Sequence, residues 1–270
     1  MRLVPLSAAV ALAGLSGWGS AAADDLASAV QIDLAPAGEI EWISDVRSKA
    51  RAPSLRRPLG QTGYQAATGI RVPFGEGESR VRLIAAETVL GDGLQQRNSF
   101  GSSVDLVYGN DEDRSFRLAL EWLDNVHPAD QAEQDSVSYA AKGTIIQRLP
   151  GALAPELSLH TELSSERNRR GNRALSGVGA TALAEVSVFP APDWELSLGL
   201  SAESTRFREP AAGASVARSE WYGSAILAAE HALSPTTRIR CEAEAGTMRS
   251  TDPTLDGPQR QVGCSFRIEL

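Results

Sequence analysis

The chain has 270 residues, 42% hydrophobic and 22% charged, with 34 Asp and Glu against 26 Lys and Arg. A net charge of −8 supplies no cationic surplus for phosphate backbones, which argues against nucleic acid as a partner. Two Cys and three His without zinc-finger spacing leave no metal site to expect, and no cofactor motif is present. From the N-terminus, Arg2 precedes an apolar run over 3–15 and small residues that continue to Ala23. This reads as a secretory signal peptide over 1–23, and its apolar run is too short to span a bilayer as a helix. Residues 24–36 are expected to form a periplasmic lead-in, and 37–270 a single domain.

Along that domain, apolar and polar residues alternate with the period of a strand whose faces meet different surroundings. Twelve such segments are expected, at 37–48, 62–75, 79–90, 99–109, 114–123, 136–149, 156–165, 175–189, 194–207, 220–232, 237–249 and 259–270. In the ninth, Trp194, Leu196, Leu198 and Leu200 interleave with Glu195, Ser197, Gly199 and Ser201. In the eleventh, Ile239, Cys241, Ala243 and Ala245 interleave with Arg238, Arg240, Glu242 and Glu244. Most segments exceed the five or six residues of an ordinary soluble strand, by about a factor of two. Tight turns such as Gly75-Glu76-Gly77-Glu78 and Ser234-Pro235-Thr236 alternate with longer polar stretches such as 124–135, 166–174 and 208–219. One rim of short turns and one of long loops is the pattern of a transmembrane barrel. The predicted fold is all-β: an antiparallel, up-and-down, transmembrane β-barrel of about 12 strands. Closure pairs every strand edge, which lipid demands of any spanning sheet. A secreted soluble sandwich or small barrel is the competing reading of the same alternation.

The run Gln261-Val262-Gly263-Cys264-Ser265-Phe266-Arg267-Ile268-Glu269-Leu270 resembles the C-terminal sorting strand of bacterial outer-membrane β-barrel (porin-like) proteins. That group usually ends in Phe or Trp where this chain has Leu270. The last two hairpins, through Ser234-Pro235-Thr236 and Ser250-Thr251-Asp252, are similar to the C-terminal barrel of surface lipoprotein assembly modifier proteins. These resemblances imply a place in the cell outer membrane, surrounded by its lipid and lipopolysaccharide. They also imply contact with the barrel-assembly machinery during biogenesis.

With the apolar set facing lipid, the lumen and any selectivity element fall to the other face. It carries Arg71, Arg82, Arg117, Glu121, Glu162, Arg238, Arg240, Glu242, Glu244, Arg267 and Glu269. Rings of one sign select ions of the other, whereas mixed signs predict weak selectivity or structural salt bridges. Charges of the eleventh segment are expected to find cross-strand partners in Arg267 and Glu269. Cys241 and Cys264 share the apolar face of consecutive strands, so export to an oxidising compartment leaves a disulfide or two lipid-facing thiols as the alternatives. Arg167, Arg169, Arg170 and Arg173 form the one basic loop, either a surface site for lipopolysaccharide anions or a solvated segment. His160, with Ser158 and Glu162 on its face, is the best lumen histidine but lacks the setting of a nucleophile, so no enzyme is expected. The function expected is a passive channel for small polar solutes or ions. The alternative is a closed-lumen barrel acting through its loops in envelope binding, adhesion or lipoprotein export.

Overall fold

A computed structural model describes residues 39–51, 61–90, 95–111, 114–210 and 214–269. The expected signal peptide and lead-in lie outside the described residues. Strands β1 (Glu41–Arg51), β2 (Gln61–Phe74), β3 (Gly77–Leu90) and β4 (Gln95–Asp111) open the sheet. They are followed by β5 (Arg114–Val126), β6 (Ser136–Arg148), β7 (Glu156–Asn168) and β8 (Gly177–Ala191). The last four are β9 (Trp194–Phe207), β10 (Ser219–Ser234), β11 (Thr237–Ser250) and β12 (Gly257–Glu269). Every strand pairs antiparallel with its sequence neighbours, and β1 pairs with β12 from Asp45 opposite Glu269 to Arg51 opposite Gly263. The result is a closed up-and-down barrel with no free sheet edge.

Period-two alternation sets the two faces. On β3, Val81, Leu83 and Ala85 are exposed while Ile84 between them is buried. Contacts that skip strands identify the inner face. Arg240 on β11 reaches Glu185 on β8 at 2.8 Å across the barrel, past β9 and β10 in the wall. Lys49 on β1 reaches Glu242 on β11 at 2.5 Å, past β12. The opposite face is a band of exposed aliphatic side chains, with Leu83 and Leu200 each at 66% and Leu227 at 62%. Water does not tolerate a continuous band of this kind, and acyl chains do.

Aromatic residues sort to the two borders of that band. Tyr64, Phe100, Trp122, Tyr139 and Trp221 are exposed near the strand ends that lead into long loops. Trp42, Tyr108, Phe116 and Trp194 are exposed near the opposite ends. Two modest girdles at headgroup level are the result, so a low aromatic content still marks both interfaces.

Four of the short turns are tighter than the sequence alone suggests, whereas the one expected at 150–152 is a longer connection over 149–155. Phe74 pairs with Gly77, Asp111 with Arg114, Ala191 with Trp194 and Ser234 with Thr237, so two residues link each pair of strands. Gly75 supplies the positive φ of 40° that the first of these turns requires. At the other rim, β5 and β7 run on through Asp124-Asn125-Val126 and Glu166-Arg167-Asn168, stretches whose charge reads as loop. They stay in the wall because their polar groups find partners there: Arg169 holds Asp124, and Ser136 holds Glu166.

Candidate functional site

The lumen is built from the inward phase of all twelve strands, and its chemistry changes along the barrel axis. At the short-turn mouth, taken as periplasmic, ion pairs line the rim. Arg71 holds Glu41 and lies 3.5 Å from Glu78, which also holds Arg80. Arg148 meets Glu156 at 3.2 Å, and Arg238 meets Glu230 at 3.0 Å.

Deeper inside stand two hubs. Asp105 is fully buried, and its two carboxylate oxygens accept from Arg82 at 2.6 Å and Arg117 at 2.7 Å. Asp45 extends this cluster, at 3.6 Å from Arg82 and 2.5 Å from Arg47. A buried carboxylate is stable only when compensated, and here two guanidinium groups do so. On the facing wall, Arg240 donates to Glu185 at 2.8 Å and Ser197 at 3.3 Å, with Glu195 at 3.8 Å. At mid-height Lys142 bridges Glu121 at 2.9 Å and Glu162 at 4.0 Å, and Ser224 donates to Glu244 at 2.7 Å.

Toward the long loops an uncharged polar network joins the lining. Ser99 donates to Asn125 at 2.7 Å, and Asn125 donates in turn to Ser136 and Ser138, each at 3.2 Å. Tyr222 and Met248 face each other across β10 and β11, both nearly inaccessible to solvent.

Several placements differ from simple hairpin reasoning. The register sets Arg238 opposite Arg267, Arg240 opposite Ser265, Glu242 opposite Gly263 and Glu244 opposite Gln261. Among the described residues, Arg238, Arg240, Glu242 and Glu244 thus have no residue of opposite charge directly across from them on β12. Their partners come from β10, β8 and β1 because the curved wall brings distant strands together over the lumen. Glu269 lies opposite Asp45. Arg47, Lys49 and Glu230 belong to the same lining and were missed. Arg47 and Lys49 continue the phase of Glu41 and Asp45, Arg47 within the expected first segment and Lys49 just past its end.

His160 Nε2 lies 3.0 Å from Ser158 Oγ and Nδ1 lies 3.1 Å from Thr144 Oγ1, so hydroxyls engage both ring nitrogens. In a Ser-His-Asp triad a carboxylate would stand where Thr144 sits. Cys241 and Cys264 are directly opposite on the outer face and are joined in a disulfide. The basic loop is partly neutralised: Arg169 holds Asp124, and Arg173 meets Glu209 at 3.0 Å. Nearby at the same rim, Asp252 accepts from the hydroxyl and backbone N–H of Thr254, which holds its carboxyl below the ordinary aspartate range.

No family model and no curated protein matches the chain. Among solved structures, an outer-membrane channel from Pseudomonas putida F1 superposes with a TM-score of 0.57 at 8% identity, covering 84% of this chain and 95% of that one. The NanC porin superposes with a TM-score of 0.50 at 10% identity, covering 84% of this chain and all of the porin (100%). The local resemblance of the last hairpins to surface lipoprotein assembly modifier barrels is not shown by these comparisons. At such identities the likeness speaks for architecture. Together with the apolar outer band, it identifies the fold as that of a bacterial outer-membrane β-barrel.

Proposed function

We propose that this protein is a passive outer-membrane channel for small polar solutes or ions, with weak charge selectivity. One observation carries the reading: a closed barrel with an apolar outer band encloses an ionised lining of both signs. Charges in that number are costly on a lipid-enclosed inner surface, and water reaching the ones that remain accessible offsets that cost. Because Asp105, Ser103 and Asn125 are all at or below 3% exposure, the bore is narrow and the unitary conductance should be small. Paired charges of opposite sign favour weak over strong selectivity. The proposal includes export through the segment over 1–23 and insertion among outer-membrane lipid and lipopolysaccharide by the barrel-assembly machinery.

Purified protein reconstituted in planar bilayers should give discrete conductance steps. A bilayer that stays sealed at every voltage, with heat-modifiable gel mobility confirming a folded barrel, overturns the channel.

A further inference from the structure

At the periplasmic mouth, one rung of the sheet carries arginine three times. Arg47 on β1 lies opposite Arg267 on β12, and Arg267 lies opposite Arg238 on β11. Arg240 follows two residues along β11, on the same inward face. Directly opposite residues have Cβ atoms about 4.5–5.5 Å apart, and like charges so placed repel. The next rung of the register sets Asp45 opposite Glu269. A cavity of about 230 Å³ opens on this group, bordered by Arg47, Arg238, Arg240, Arg267, Glu230 and Ser265. Four guanidinium groups thus share one small space with a single carboxylate.

The flanking carboxylates hold these groups without exhausting them. Arg47 uses Nε on Asp45, Arg238 uses Nη1 on Glu230, and Arg240 uses Nη2 on Glu185. Each guanidinium offers five N–H donors, more than these contacts use. Donors fixed in place by ion pairs and converging on one cavity suit the planar, bidentate recognition of carboxylate and phosphate.

We propose that this cavity binds anions bearing two or more carboxylate or phosphate groups, and that such solutes dwell there during passage. The binding stands on the arginine rung alone, whereas the passage rests on the channel reading above. The site gives one wall of the mouth a preference that the remaining, mixed-charge lining does not have.

The test titrates citrate and inorganic pyrophosphate into the folded, detergent-solubilised barrel at low ionic strength and follows binding by calorimetry. The expected result is saturable binding at one site per barrel. The Arg47→Gln/Arg238→Gln double variant should weaken it by about tenfold or more, the loss that removing charge-assisted hydrogen bonds brings. An Arg80→Gln variant, altered at the same mouth but outside the cavity, should bind as the parent does. Heat-modifiable mobility verifies folding, and should the double variant fail to fold, Arg238→Gln alone takes its place at the exposed rim. Absence of binding to the parent protein, or equal affinity in parent and variant, overturns the site and leaves an internal salt-bridge lattice only. Bilayer recordings separate the two proposals. Conductance without citrate binding removes the anion site alone, and citrate binding in a barrel that never conducts removes the channel alone.

Discussion

Asn168 does more for the loop rim than any charged residue of the neighbouring basic stretch. Its side chain is 1% exposed, and its Nδ2 donates to the carbonyls of Glu133 at 2.6 Å and Asp135 at 3.1 Å. Its Oδ1 accepts from the backbone N–H groups of Arg170 at 3.0 Å and Asn172 at 3.1 Å. One amide therefore ties the 127–135 connection to the 169–176 loop. Losing four hydrogen bonds, while the Asp135 carbonyl keeps its bond from the Arg169 N–H at 2.8 Å, should cost about 2–4 kcal/mol of local stability in Asn168→Ala. Trypsin should then cut after Arg169, Arg170 and Arg173 well before the barrel itself unfolds. Cleavage no faster than in the parent would refute the tie. In the sequence Asn168 looks like one more polar loop residue, because nothing in a linear pattern distinguishes a buried amide from a solvated one. Gly101 is similarly silent: a Cβ there would lie 1.9 Å from the Trp122 carbonyl oxygen, so only glycine admits the close approach of β4 and β5.

At the scale of the element, the β11–β12 hairpin is the part of the wall on which closure depends, since β12 also carries the pairing to β1. The Cys241–Cys264 disulfide pins its register from the lipid side. A one-residue slip would send Arg267 into lipid and Ile268 into the lumen, so the cross-link and the apolar pattern enforce the same alignment. Replacing both cysteines by serine should lower stability against urea by about 2–4 kcal/mol in mixed micelles, the usual worth of a cross-link of this kind. An unchanged unfolding midpoint would show that the ladder alone fixes the hairpin. Strand positions were legible in the sequence to within a few residues, because alternation reports directly which face meets lipid. Strand ends at the long-loop rim were not. Polar segments such as 124–126 and 166–168 remain in the wall through hydrogen bonds to neighbouring strands, and a single segment read alone cannot reveal those neighbours.

For the molecule as a whole, burying the aliphatic band in lipid is what makes a closed sheet with a charged interior stable. Leu198, at mid-strand on β9, and Leu233, near the periplasmic end of β10, both face outward and are 59% and 56% exposed. Leu198→Arg should cost about 2–4 kcal/mol, and Leu233→Arg about 0–1 kcal/mol, because the penalty follows depth in the bilayer. Equal costs, measured by urea titration in lipid vesicles, would mean that the band contacts something other than a bilayer. The sequence by itself determined the fold class, the strand count and the division into two faces, since each depends only on local period and on the spacing of turns. Which charges meet was decided by the tertiary structure alone. Arg240 to Glu185, Lys49 to Glu242 and the arginine rung over three strands arise from curvature and register, which bring together residues far apart in the chain.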